Sequence, residues 1–300
     1  MCSFLHEVAT SKPDNPVSIA TVRGYRSAIG AVHRGFMDGS TVSSNSTITT
    51  LLRGIFHTLA VPRKLRDPWD LPLVLECLSR RPYEPLQGAS LRNLTLKTVF
   101  LLQVASARRV SWTYSCRVDP AHLQLNKQGV RLFPQLALDK NQTESYSPGS
   151  VYIPSLKETS PDDRLHCPVR ALKFYLDRTK SIRGDQRALF ITSQEPYKAA
   201  AKNTIAAWVR AVIRDAYSRR NRVIPDNLDM RAHSTRSVAT SWAEISGVSL
   251  PEIMDAAAWS TPVTFANVYL KDLPLTRGRF AAGVLTTAAA NISRKKTTPA

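Results

Sequence analysis

The sequence predicts a mainly α-helical chain with a small antiparallel β-sheet, divided into two domains. Three observations carry that expectation. Apolar residues recur at intervals of three and four along most of the chain, the period of a helix with one face turned inward. That period gives way once, over residues 122–138 and 151–154, to the alternation of half-buried strands. Residues 61–68, VPRKLRDP, combine two prolines with a cluster of basic side chains, the composition of an interdomain linker. The 300 residues suit two domains, and 43% apolar residues are enough for sizeable cores.

The elements follow in order. In residues 17–36, Ile19, Val22, Tyr25, Ile29, Val32 and Phe36 form one stripe, Ser18 is placed as N-cap, and Arg23, Arg26 and Arg34 mark the opposite face. Residues 37–45 are rich in Ser, Thr and Gly and read as a loop. A second helix over 46–60 carries Ile48, Leu51, Leu52, Ile55 and Phe56. Beyond the linker, helices are expected over 70–79 and over 90–105, the latter strongly apolar. The strand-like stretch follows, with Gly129 at a turn. Residues 167–179 return to helix with Pro168 in the first turn, where its missing N–H is harmless. Residues 203–219 form an amphipathic helix, with Arg210, Arg214, Arg219 and Arg220 towards one end.

Composition narrows the partner. There are 41 Lys and Arg against 23 Asp and Glu, a formal charge of +18. An excess of that size points to a polyanion. No apolar run is long enough to span a bilayer, and Phe4 to Ala9 is too short and too polar for a signal-peptide core, so nucleic acid is favoured over membrane. Cys2, Cys77, Cys116 and Cys167 are scattered without a C-x-x-C pair, so neither a zinc site nor a disulfide framework is expected. No metal and no cofactor is implied.

The residues that carry chemistry lie in 232–273, AHSTRSVATSWAEISGVSLPEIMDAAAWSTPVTFANVYLKDL. His233 and Arg236 are three apart and so share one helical face, where an imidazole and a guanidinium can converge on one phosphate. Trp259 adds an indole donor and Tyr269 a phenol able to act as nucleophile. Each residue alone reads as packing or as a solvated charge; the ordered set does not. With an arginine and a lysine upstream, it resembles the active site of the tyrosine recombinases. The wording HSTRSVATSWA, AAWS and TFANVYLKD looks most like the recombinases of DIRS-type and crypton-like eukaryotic mobile elements. The likeness covers most of 68–273 and is faint before it.

The resemblance implies a two-domain DNA clamp. Residues 1–66 would be a helical core-binding domain, short for the family, 67–290 the catalytic domain, and 291–300 a basic tail. The first clamp arginine is Arg109 in VFLLQVASARRVSW, with Arg108 one step off. The acid for the leaving 5′ oxygen is Lys140 in LALDKNQTES, its pKa lowered by neighbouring cations. His233 takes the Tyr269 proton or holds the phosphate, Arg236 completes the clamp, and Trp259 stands where many relatives have His. Attack by Tyr269 would give a 3′-phosphotyrosine, so rejoining needs no ATP. The family usually has a carboxylate three residues after the first arginine. Here that position is Trp112, which predicts weakened support for Arg109 and reduced activity. The implied function is a mobile-element DNA recombinase acting in the nucleus as a tetramer on two duplexes. The alternative is a remnant that grips DNA without cutting.

Overall fold

The structure is a computed structural model. It describes residues 1–11, 17–58, 66–135, 149–156 and 161–259, with 261, 262 and 265. The chain divides into two compact units, Met1–Leu65 and Arg66–Ala300.

The first unit contains three described helices: α1 (Cys2–Thr10), α2 (Ile19–Val32) and α3 (Ser46–Thr58). Leu5 and Ala9 of α1, Val22 of α2 and Ile48, Leu52 and Ile55 of α3 close over Val42 to make its core. Ser18 caps α2 as its position predicts, its hydroxyl accepting from Thr21 N at 3.2 Å. The expected stripe along α2 is only partly inward. Val22 is buried, but Tyr25 is 44% and Val32 82% exposed. The helix stops at Val32 because His33 turns to extended backbone, so Phe36 lies beyond it. The Tyr25 ring rests edge-on against Phe4, with centroids 5.9 Å apart. Helix α1 had no expectation attached, because nine residues offer little more than two turns of pattern.

The second unit is arranged around α5 (Leu91–Ser106), which packs on α8 (Pro168–Thr179), α9 (Lys202–Arg219) and α10 (Ser234–Ile245). The remaining helices are α4 (Leu71–Leu78), α6 (Val110–Ser115), α7 (Pro161–His166) and α11 (Leu250–Ala257). The expected helices are present to within about two residues at their described ends, the usual fraying. Asp70, Ser90 and Cys167 cap α4, α5 and α8 through their side chains. The sheet has three antiparallel strands in the order β1 (Leu123–Leu125), β2 (Gly129–Leu132), β3 (Val151–Pro154). Val130 pairs with Leu125 on one side and Ile153 on the other. Gly129 closes the β1–β2 turn as expected, its carbonyl accepting from Asn126 N at 3.0 Å. It opens β2, and an added Cβ would lie 2.6 Å from the Ile153 carbonyl oxygen, so its role is close strand approach.

Being surrounded, α5 buries polar side chains that need internal partners. Thr95 and Thr98 donate to the carbonyls of Leu91 and Leu94, each at 2.7 Å. Lys97, fully buried, donates to Leu78 O at 2.8 Å and to Glu84 Oε1 at 2.5 Å. Arg170 meets the same carboxylate with both terminal nitrogens, at 2.7 and 3.1 Å. Burial acts to raise the Glu84 pKa, but the bonds from Arg170 and Lys97 outweigh it and hold the group below its ordinary range. Lys97 has half a share of one carboxylate and a second cation nearby, so burial dominates and pushes its pKa down to about 8.

No described helix is long and apolar enough to cross a membrane.

A pH effect follows for Lys97. Its folded pKa of about 8 lies below its ordinary 10.5, so between those values the unfolded chain holds the extra proton. Stability should therefore gain a rising contribution as pH climbs through that window. Urea unfolding of the parent and Lys97→Met at both ends of the window reads it. The difference between the two proteins should change with pH, and a constant difference would show that Lys97 stays charged throughout.

Candidate active site

The turn joining α5 to α6 positions the first expected residue. Helix α5 ends at Ala107, in the left-handed conformation with φ +50°. That reverses the chain so that the next residues start a new helix. Arg109 is the N-cap of α6 and is half-buried. Arg108 points the other way and is 6% exposed. Its Nη2 donates to Asp255 O of α11 at 3.2 Å, and its own carbonyl accepts from Gln103 Nε2 at 3.2 Å. Sequence reasoning treated Arg108 as a bystander.

His233 and Arg236 come from the start of α10. His233 is the N-cap, and Arg236, one turn on, is 1% exposed. The start of α10 is pinned by Trp69, whose indole N–H donates to Ser234 Oγ at 2.9 Å. Asp67 and Asp229 add a backbone link at 2.9 Å, and Arg231 grips the buried Asp229 carboxylate with bonds of 2.7 and 2.8 Å. Arg236 Nη2 donates to Ala257 O at the end of α11, and its guanidinium lies over the Trp259 ring, 4.7 Å from the centroid. Trp259 is held by its backbone N–H on Met254 O at 2.9 Å, just past the left-handed Ala258. Its ring stacks on Phe265 at 5.5 Å, and with Ala107, Ile253 and Ala257 it forms a small core of its own.

Arg109, His233, Arg236 and Trp259 therefore gather in one place. The His233 ring faces outward yet has a lowered pKa. Desolvation by the protein behind it is the largest cause, followed by the charges of Arg236, Arg109 and Arg231. Three cations from two separate parts of the sequence act on one imidazole, which leaves that imidazole neutral at neutral pH. Lys140 and Tyr269 lie outside the described residues. Among the described residues no three His, Cys, Asp or Glu side chains are grouped to hold a metal ion.

The fold of the chain has solved counterparts. The XerH site-specific recombinase, in a post-cleavage complex bound to palindromic difH substrate, superposes with a TM-score of 0.56 over 94% of this chain and 70% of that one, at 13% identity. The chain has the fold of a tyrosine recombinase. The XerA recombinase gives 0.49 over 94% of this chain and 88% of that one, at 12% identity. A lambda integrase tetramer bound to a Holliday junction gives 0.44 over 92% and 77%, at 13% identity. No protein-family model and no curated protein sequence matches the chain.

Trp112 acquires a structural role on this fold. It is 2% exposed within the main hydrophobic core of the unit. Its position is a packing position. Trp112→Glu should then lower stability by about 3 kcal/mol or more, since it removes a buried aromatic and introduces a buried charge. Trp112→Phe should cost clearly less. Equal melting temperatures for Trp112→Glu and the parent would place the side chain outside the core.

The His233 geometry has its own test. Its NMR titration midpoint should lie below the ordinary 6.5 and move upward in Arg109→Gln, which removes one facing charge. An unmoved midpoint would mean that Arg109 and His233 are not within electrostatic reach.

Proposed function

We propose that the chain is a site-specific DNA recombinase that cuts and rejoins strands through a 3′-phosphotyrosine at Tyr269. The observation that carries this reading is the convergence of Arg109, His233, Arg236 and Trp259 on a recombinase fold. Breaking a phosphodiester in this way asks the protein for a nucleophile, a clamp on the non-bridging oxygens and an acid. Arg109 and Arg236 supply planar forks for the clamp, and the Trp259 indole is a further donor. Neutral His233 can accept the phenolic proton of Tyr269 as its oxygen attacks phosphorus. The bond to the 5′ oxygen breaks, and Lys140 donates the proton that oxygen takes up. The roles of Lys140 and Tyr269 rest on their order in the sequence and on the resemblance. So do the assignments of 1–66 as core-binding domain, 67–290 as catalytic domain and 291–300 as basic tail.

Double-stranded DNA is the proposed partner. The formal +18 supports it, as does the substrate-bound state of the XerH neighbour. The proposed assembly is a homotetramer on two duplexes. An origin in a DIRS-type or crypton-like mobile element, and hence action in the nucleus, rests on the sequence wording alone. The second reading is a remnant that grips DNA without cutting. Trp112 favours it, because the core holds an indole where a carboxylate would support Arg109.

Nicked suicide substrates built from the element's own termini separate the readings. The parent should become covalently attached to DNA, and Tyr269→Phe should bind as before and form no adduct. Tight binding with no adduct from either protein would establish the remnant. Equal adduct from both would remove Tyr269 as nucleophile.

A further inference from the structure

A basic cleft in the second unit takes no part in the candidate active site. It lies where the β1–β2 turn, the end of β3, the last turn of α7 and the first half of α8 meet, and holds about 360 Å³. Lys127, Arg164, Arg170 and Lys173 supply its charge, and Leu156 and Phe174 its apolar surface. Among the described residues no carboxylate lines it.

Its charge is held in place from behind. Glu84 accepts from both the buried Lys97 and Arg170, so one negative charge faces two positive ones, and the wall keeps a net positive charge. Arg170 is also fixed in orientation, with both terminal nitrogens on Glu84 and its guanidinium 5.6 Å from the Phe174 centroid. Lys127 and Lys173 belong to different elements, the β1–β2 turn and α8, and converge on the same space. Cations fixed before a ligand arrives lose little entropy when it binds. Arg170 is the one so fixed; Lys127, Arg164 and Lys173 bring the cleft to four cations, which suit a multiply charged oxyanion better than a single carboxylate. The volume is that of a small-ligand pocket, and the Phe174 and Leu156 side offers a surface for a flat ring.

We propose that this cleft binds the phosphate of a nucleotide, either within a DNA strand running beyond the candidate active site or free in solution. The strand is the favoured source, given the overall charge of the chain. The inference does not depend on strand cleavage, so a failure at Tyr269 leaves it standing.

The test uses the full chain carrying Lys127→Ala and Lys173→Ala together. A charge-matched control carries Lys180→Ala and Lys198→Ala, both exposed and outside the cleft. Arg109→Gln is added to all three proteins, which weakens anion binding at the candidate active site. Calorimetric titration with pyrophosphate should show binding to the parent and control, weakened about tenfold or more in the cleft variant. The salt dependence of duplex binding identifies the source. A log–log slope shallower by about 1 in the cleft variant than in the control assigns the cleft to a DNA phosphate. An unchanged slope with lost pyrophosphate binding assigns it to a free nucleotide. Pyrophosphate binding that is absent from the parent, or equal in cleft variant and control, overturns the proposal.

Discussion

A guanidinium that is 1% exposed has to be satisfied where it stands, because desolvating an isolated charge costs several kcal/mol. Arg236 is that group, and much of the second unit is shaped to accept it. Helix α11 ends beside it and presents the Ala257 carbonyl, one of the acceptors that a helix C-terminus leaves without an internal partner. The negative end of the same helix favours a cation there. The left-handed Ala258 then turns the chain so that Trp259 lies flat against the guanidinium. Arg108 reaches the same helix end through Asp255 O. One short helix thus receives two cations from two different parts of the sequence. That shared end fixes the α5–α6 turn and the start of α10 against each other.

Much of this fold is legible in the sequence, for reasons that can be stated residue by residue. Ser18, Asp70, Ser90 and Cys167 precede apolar repeats and cap helices where that pattern places them. The break in period marks the sheet, and Val151–Pro154 is a strand over the expected residues. What was not legible depends on contacts distant in sequence. Val32 belongs to a helical stripe, yet the chain leaves the helix there and the side chain is 82% exposed. Gly129 is readable as the turn residue it is, but the Ile153 carbonyl on the neighbouring strand that leaves no room for a side chain there is not. Lys97 interrupts an apolar helix, and only the fold supplies Leu78 O and Glu84 to receive it.

The candidate site divides in the same way. Four of the residues singled out in the sequence, Arg109, His233, Arg236 and Trp259, are brought together by the fold. The left-handed turns could not be read, because both fall on alanine, Ala107 and Ala258, rather than on glycine. An L-residue in that conformation costs roughly 1–2 kcal/mol, so no local preference announces it. Both alanines border the small core around Trp259, where Ala107 and Ala257 are buried with Ile253 and Phe265. Packing there outweighs the local backbone cost. That explains how a site can be spelled out by its charged residues while its shape is set by small apolar ones.

The charges themselves impose a last constraint. Arg109, Arg231 and Arg236 all act on His233 with the same sign, and Asp229 opposes them. Arginine does not give up its proton at any ordinary pH, so the imidazole is the group that yields. Its ring is turned to solvent, yet desolvation from behind adds to the repulsion. The neutral ring retains a lone pair on one nitrogen, beside guanidinium groups that attract anions. A fourth fixed cation in its place would strengthen the grip on an anion and remove the neutral imidazole, which can accept a proton. The cluster therefore combines two properties that a larger positive charge would not, attraction for an anion and a neutral imidazole next to it.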